Sequence, residues 1–136
     1  LVQAVNFSPY QGEIRVPGEV LKSNTIFGAV CNGRQAGGGQ QLAPQALIDD
    51  GLLDIVGLEH FPAEALTQVI DELVSPDKTG EYVSRYRVPW VEWESEDEMP
   101  INLDGEPISS NRVRFEVLPG ALKLVLPDNC VMLSPT

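Results

Sequence analysis

The chain has 136 residues, of which 43% are hydrophobic and 21% charged, proportions that are ordinary for a soluble globular domain with a core of its own. Its formal net charge of −11 argues against a nucleic-acid-binding protein, which needs a basic surface, and against docking by charge on anionic lipid. No apolar run approaches the roughly 20 residues of a membrane span, so we expect at most transient contact with a membrane surface.

The first half of the chain is predicted to consist mainly of strands. Apolar, β-branched runs bounded by Gly, Pro or Asn predict strands at Leu1–Phe7, Asn24–Asn32 and Leu53–Leu58. Because the chain opens inside a predicted strand, we expect that a further domain precedes it and that residues 1–136 are one domain of a longer protein. Between the second and third strands lies a loop rich in glycine, which removes side chains where the backbone turns sharply or approaches something closely. Its glycines are Gly33, Gly37, Gly38 and Gly39.

One helix is predicted after the third strand. It follows Pro62, a favourable residue for a first helical turn, and it is expected to end at Ser75-Pro76. Apolar residues at helical spacing form a single stripe on this segment. They are Ala65, Leu66, Val69, Ile70 and Leu73.

The second half returns to strand patterns. Tyr82–Trp93 predicts one long aromatic strand with a bulge or an edge near Pro89, and Arg112–Leu118 alternates apolar and polar residues. Leu122–Leu126 predicts a last strand after the Pro119-Gly120 turn, while acidic Glu92–Glu98 is interpreted as a solvated hairpin loop, with a divalent-ion site as the alternative. Many short strands with one or two helices predict a mainly β fold, an antiparallel β-sandwich or two-layer domain.

Several kinds of catalytic site find little support. His60 lies at a strand-to-helix junction without a partner motif, which disfavours Ser-His-Asp and Cys-His catalysis. Cys31 and Cys130 fit no zinc-ligand spacing and are interpreted as reduced core thiols, although a disulfide stays possible. The glycine-rich loop matches neither the dinucleotide-binding nor the Walker pattern.

The turn Leu47–Asp54 is a candidate metal site. A hard cation such as Mg²⁺, or Ca²⁺, takes oxygen ligands. A tight turn around Gly51 offers the Asp50 carboxylate beside the main-chain carbonyls of Leu47 and Leu52. Asp-Asp-Gly is also a common turn, so a purely structural role remains the alternative.

A second acidic turn lies at Asn102–Pro107. Asp104-Gly105 is a hairpin signal, which makes a plain turn one interpretation. In the functional interpretation, Glu106 takes a proton from a hydroxyl group during phosphoryl transfer, and Asp104 orients it or reaches a metal.

These motifs together resemble a known family. Asn32–Pro44, Ala46–Asp54, Asn102–Pro107 and the closing Val117–Leu122 and Leu126–Cys130 segments occur in an order similar to that of the C-terminal domain of bacterial diacylglycerol kinase-like lipid kinases, in the YegS-like branch. The resemblance covers essentially the whole chain. It departs from that branch mainly in the acidic Glu92–Glu98 segment and in the helix before it.

The resemblance implies an ATP-dependent lipid kinase of two domains, in which the N-terminal domain carries the nucleotide loop and this chain closes the cleft. It implies Glu106 as the proton acceptor, with Asp104 beside it. It also implies a metal bound by Asp50 and the carbonyls of Leu47 and Leu52. Asn32, Gly33 and the glycines 37–39 are then expected to line the cleft, where bared backbone N–H groups accept anions.

The implied partners are a lipid substrate, ATP and the protein's own N-terminal kinase domain, in the cytoplasm. Diacylglycerol, phosphatidylglycerol and sphingoid alcohols all offer a primary hydroxyl group on an apolar body, and the sequence does not separate them. The alternative is a non-catalytic β-sandwich that binds a cation or a partner through the same loops.

Overall fold

The computed structural model describes residues 8–77 and 80–136, so the predicted strand Leu1–Phe7 lies outside the described residues. In chain order the strands are β1 (Tyr10–Val16), β2 (Glu19–Cys31), β3 (Gln35–Ala36), β4 (Gln40–Gln41), β5 (Leu53–Glu59), β6 (Val83–Val88), β7 (Trp90–Leu103) and β8 (Glu106–Glu116). A turn of 3₁₀ helix at Ala63–Ala65 leads into the helix α1 (Leu66–Val74).

The predicted mainly antiparallel β class is confirmed. Six strands form one sheet in the order β6-β5-β2-β1-β7-β8, with every neighbouring pair antiparallel, while β3 and β4 form a separate ribbon. The sheet is curled, because Trp93 of β7 lies against Gly28 of β2 although β1 separates the two strands.

The main core fills the concave face of this sheet. Its fully packed members come from β1, β5 and β7, and residues of both edge strands pack against them. The curl therefore encloses one apolar cluster between the two halves of the sheet, as a sandwich does. The buried members are Ile14, Val16, Leu53, Ile55, Val91 and Trp93.

A second core lies on the opposite face, under the helix. Val69 of α1 is fully buried against β5 and β6, and Phe61 closes one end of the cluster. Since side chains alternate along a strand, β5 serves both cores and is buried along almost its whole length. The helix is confirmed at its predicted place, but Ile70 of the predicted stripe is 42% exposed.

Some observed strand boundaries differ from the predicted ones. Leu53–Leu58 is confirmed, but Tyr82–Trp93 is wrong as one strand, because Pro89 separates β6 from β7 and proline has no N–H for the ladder. The predicted strand Arg112–Leu118 is confirmed over Arg112–Glu116, the second half of β8, whereas Val117 and Leu118 lie beyond the strand. Leu122–Leu126 forms no strand, since its alternation meets no partner strand among the described residues.

The start of the described sheet was missed by the sequence analysis. β1 and the first residues of β2 form a hairpin, and the sequence predicted β2 only from Asn24 onward. The available signal was Pro17-Gly18, where Gly18 has a φ of +78° that a residue with a side chain rarely adopts. Short polar strands such as Tyr10–Val16 carry little of the apolar pattern that identifies a strand.

The acidic segment Glu92–Glu98 lies within β7 and is not a hairpin loop. Glu92 and Glu94 pair with Arg15 at 3.0 and 2.6 Å, and Arg112 reaches Glu92 at 3.0 Å. The register shifts between Glu94 and Met99, so the remaining carboxylates lie on a bulge. The prediction failed because the compensating arginines are distant in sequence.

The expectation for the histidine is confirmed, and that for the cysteines is confirmed in part, since both are free but neither belongs to a buried core. Cys31 and Cys130 are both free and half-buried, although Cys130 lies outside any strand. His60 is exposed at the junction after β5. No helix within residues 8–77 and 80–136 has the length and apolarity to cross a bilayer.

Candidate functional site

The glycine-rich loop leaves the sheet at the end of β2. Gly37, Gly38 and Gly39 have φ angles of +24°, +70° and +89° and form the turn between β3 and β4. A Cβ atom built on any of them, or on Gly33, would meet nothing within 4 Å, and Asn32 is exposed. The glycines are therefore needed for the turn itself, and their backbone faces open space.

Arg34 ties this loop to the rest of the chain, and the sequence analysis missed it. Its Nε donates to the carbonyl of Ala46 at 3.0 Å, and its Nη2 donates to the carbonyl of Val131 at 2.6 Å. The backbone carbonyl of Arg34 accepts from Ala43 N–H at 3.3 Å. A single arginine within a run of glycines was the signal available in the sequence.

The turn before β5 holds the Asp50 carboxylate in a fixed position. Gly51 has a φ of +72°, which folds the chain back, so that the N–H of Leu52 donates to Asp50 Oδ1 at 2.9 Å. The neighbouring Asp49 points elsewhere and accepts hydrogen bonds from Ser134, at 2.7 Å from its N–H and 2.9 Å from its hydroxyl group. Of the two adjacent aspartates, only Asp50 therefore has a side chain available to the candidate metal site.

Arg87 joins Asp50 to a second carboxylate, on Asp54. Arg87 Nη2 lies 2.5 Å from Asp50 Oδ2, and Arg87 Nε lies 3.4 Å from Asp54 Oδ1. Asp54 Oδ2 is buried and has no hydrogen-bond partner among the described residues. Burial raises the pKa of Asp54, Arg87 opposes that shift, and Asp50 adds to it. Because Arg87 is distant in sequence, its role became visible only with the register of β5 and β6.

The oxygen atoms of this turn are of the chemical type that a hard cation binds. Asp50 and the carbonyls of Leu47 and Leu52 are ligands that Mg²⁺ and Ca²⁺ accept, and the unpartnered Asp54 Oδ2 leaves negative charge beside them. Within the described part of the chain, no three side chains of His, Cys, Asp or Glu gather into a metal-binding group. A cation here would therefore depend on backbone carbonyls.

A cavity of about 210 Å³ adjoins the turn on the helix-covered face of the sheet. Asp54 and Arg85 both line it, and Arg85 Nε, like Asp54 Oδ2, is buried without a hydrogen-bond partner among the described residues. Arg85 also donates to the carbonyl of Leu73 at 2.9 Å. Two buried polar groups, each with one unpaired atom, thus lie beside one cavity.

Asp104 and Glu106 lie at the tip of the β7–β8 hairpin. Asp104 and Gly105, with φ angles of +49° and +101°, form a two-residue turn between the paired Leu103 and Glu106. The side chain of Asn102 accepts from the N–H of Gly105 at 2.6 Å. The side chain of Glu106 is exposed and forms no hydrogen bond or ion pair with a described residue. The predicted hairpin is confirmed, and the two carboxylates are held in the open.

The glycine-rich loop and the Asp50 turn share one edge of the fold, because Cys31 pairs with Asp54. The hairpin tip lies at the other end of β8 from Glu116, which pairs with Trp90. β1 is antiparallel to both β2 and β7, so β7 runs toward the hairpin tip in the direction in which β2 runs toward Cys31.

Comparison with known proteins shows to which family the chain belongs. The family model described as the YegS C-terminal NAD kinase beta sandwich-like domain matches residues 1–126. A protein of Shewanella frigidimarina named "Probable lipid kinase YegS-like" is 43% identical over 130 residues, which are 96% of this chain and 42% of that protein. Its counterpart in Chromohalobacter salexigens is 45% identical over 135 residues, 98% of this chain and 43% of that protein.

The fold is also found among solved structures. A crystal structure of a diacylglycerol kinase from Bacillus anthracis superposes with a TM-score of 0.66 and 21% sequence identity, covering 88% of this chain and 43% of the other. The chain thus spans less than half the length of the proteins it matches.

Proposed function

We propose that this chain, which belongs to the YegS C-terminal NAD kinase beta sandwich-like family, is the C-terminal domain of an ATP-dependent lipid kinase. The proposed reaction moves the γ-phosphoryl group of ATP to the hydroxyl group of a lipid of the diacylglycerol, phosphatidylglycerol or sphingoid kind. Support comes from the relatives named as lipid kinases, which the chain matches over nearly its whole length.

Glu106 carries the chemical part of the proposal. Its carboxylate is exposed at the hairpin tip and forms no ion pair with a described residue, so it is free to accept a hydrogen bond from an incoming hydroxyl group. In the proposed step the hydroxyl oxygen bonds to the γ-phosphorus, the bond from that phosphorus to the bridging oxygen of ADP breaks, and the hydroxyl proton passes to Glu106. Asp104, held with a positive φ in the same turn, is proposed to orient this group.

The donor set of the Asp50 turn suggests a role for its cation. Because its ligands would be one carboxylate and two main-chain carbonyls, we assign the cation at Leu47, Asp50 and Leu52 to shaping the loop, whereas the Mg²⁺ that neutralises the phosphates would arrive with ATP. A divalent cation bound at the turn would supply positive charge against Asp50 and Asp54.

The nucleotide loop is assigned to the remainder of the full-length protein, because the chain covers only 42% of its relative and carries no such loop. Exposed apolar side chains after β8 support a covering domain. Leu118, Leu122 and Leu124 are 72%, 81% and 63% exposed. Asn32 and the bared glycine backbone are proposed to face the cleft formed with that domain.

The test uses the full-length protein and ATP with a panel of lipid alcohols in mixed micelles. Glu106→Gln is expected to lower kcat by about 10²- to 10⁴-fold, as loss of a general base does, with an unchanged melting temperature. Glu96→Gln, at an exposed position on the β7 bulge, serves as the matched control and should retain turnover. Wild-type turnover in Glu106→Gln would remove the proton-acceptor role. Inactivity of the wild-type protein on every lipid would favour the alternative, a non-catalytic β-sandwich that binds a cation or a partner.

A further inference from the structure

Arg87 contacts two carboxylates at the candidate cation turn. Its guanidinium group contacts Asp50 Oδ2 at 2.5 Å and Asp54 Oδ1 at 3.4 Å. Both carboxylate side chains are 12% exposed, whereas that of Arg87 is 43% exposed. The two aspartates are thus fixed in the protein, and the arginine reaches them from the solvent side.

The backbone imposes this arrangement. Asp54 and Arg87 are direct partners in the β5–β6 register, which places their side chains on the same face. Asp50 is brought to the same point by the Gly51 turn and is held by the N–H of Leu52. The contacts therefore follow from register and turn geometry.

Within the ion pairs of this cluster, one positive charge faces two negative charges. One guanidinium group is shared by two carboxylates, and Asp54 Oδ2 is buried with no partner in the part of the chain that the structure describes. A buried, unpaired carboxylate oxygen is unfavourable, because it has lost its hydration without gaining a hydrogen bond. A divalent cation would balance both carboxylates, which one arginine does not.

We propose that Arg87 is a built-in counter-ion that competes with the divalent cation for the Asp50 turn, and that Asp54 becomes an additional carboxylate of the cation site when Arg87 turns out to solvent. The inference rests on the cation site of the proposed function and adds two residues to it, one that opposes binding and one that favours it. Arg87 thereby sets the cation concentration at which the loop is ordered.

The size of the effect follows from Coulomb's law. A single positive charge about 6 Å from a divalent cation in a water-like dielectric weakens its binding by about tenfold. Replacing Arg87 by an uncharged side chain should therefore tighten binding by about that factor. If Arg87 instead held Asp50 in place for the cation, the same replacement would weaken binding.

The experiment is calorimetric titration of the full-length protein with Ca²⁺ and, separately, Mg²⁺, in the absence of nucleotide and lipid. Arg87→Gln is expected to lower Kd about tenfold, and Arg87→Lys, which keeps the charge, to stay close to wild type. Lys22→Gln removes an equal charge from an exposed position on β2 and controls for net charge. Asp54→Asn in the Arg87→Gln background should raise Kd again. Thermal unfolding of each variant checks that it is folded.

The outcomes separate this inference from the function on which it rests. Unchanged or weaker binding in Arg87→Gln, or an unchanged Kd on adding Asp54→Asn, overturns the counter-ion role while the cation site stands. An absence of binding in both wild type and Arg87→Gln overturns the site and the inference together. Lipid phosphorylation and its loss in Glu106→Gln test the kinase function independently of both results.

Discussion

At the scale of single residues, glycines in this chain serve different purposes that look alike in the sequence. Those at the tip of the glycine-rich loop adopt positive φ angles in open space. Gly28 instead lies in β2, where a Cβ atom would come within 3.1 Å of the buried Trp93 ring. Gly12 is tighter still, since a Cβ atom there would fall 1.9 Å from the carbonyl oxygen of Glu94. Close packing, which the sequence does not show, distinguishes these two from the turn glycines.

Gly28→Ala is expected to lower the free energy of unfolding by about 1 kcal/mol, because the added methyl group must displace a packed indole ring. Gly33→Ala is the matched control. Nothing lies within 4 Å of its Cβ position, so its effect should stay within about 0.5 kcal/mol. Urea unfolding followed by tryptophan fluorescence measures both. Equal free energies of unfolding for the two variants would mean that the Trp93 side chain moves aside without destabilising the protein.

At the scale of elements, α1 is attached to β6 by a buried carboxylate as well as by apolar packing. Glu72 is 7% exposed and accepts hydrogen bonds from the backbone N–H groups of Glu81, Tyr82 and Val83, at 2.9 to 3.0 Å. Gly80 leaves room for it, since a Cβ atom at that position would collide with the Glu72 carboxylate. A charged residue on the helix thus fixes where the next strand begins.

Glu72→Gln should lower stability by about 2 kcal/mol at neutral pH, since hydrogen bonds from N–H groups to a carboxylate are among the stronger ones. Burial raises the pKa of Glu72, but the bonds from Gln68 and from the backbone outweigh it, and the net pKa is lowered. The stabilisation is therefore present above the unfolded-state pKa and is lost as the pH falls through the lower, folded-state pKa.

The check is the difference in melting temperature between wild type and Glu72→Gln at pH 7 and at successively lower pH below 4.5, the ordinary pKa of this group. The difference should shrink as the pH falls. Glu64→Gln, at an exposed position in the first helical turn, should show little difference throughout. A constant gap for Glu72→Gln would argue for a packing role in place of the charge.

At the scale of the whole molecule, the segment after β8 exposes apolar side chains to solvent. Residues 122–126 carry an alternating apolar pattern typical of a strand, yet they pair with no described strand, and Val125 is fully exposed. Several leucine side chains exposed to water within one short segment are typical of a surface that contacts another part of a protein. We interpret the segment as a contact with the remainder of the full-length protein.

Hydrogen exchange of the full-length protein measures this contact directly. Backbone amides of residues 122–126 should exchange at least a hundredfold more slowly than an unstructured peptide, since strand pairing or burial removes them from water. Residues 54–57 of β5, which pair with strands on both sides, provide an internal reference for protected backbone. The replacement Leu122→Lys together with Leu124→Lys should abolish the protection. Peptide-like exchange at 122–126 in wild type would contradict the contact.

The sequence by itself determined the secondary-structure class, the helix, the hairpin at Asp104-Gly105 and the motif order that indicates the family, because these depend on local periodicity and turn chemistry. Only the tertiary structure decided the partners of its charges. Arg87 faces Asp50 and Asp54 through the β5–β6 register, and Arg15 faces Glu92 across β1 and β7. Register joins residues far apart in the chain, and spacing along a sequence carries no record of it.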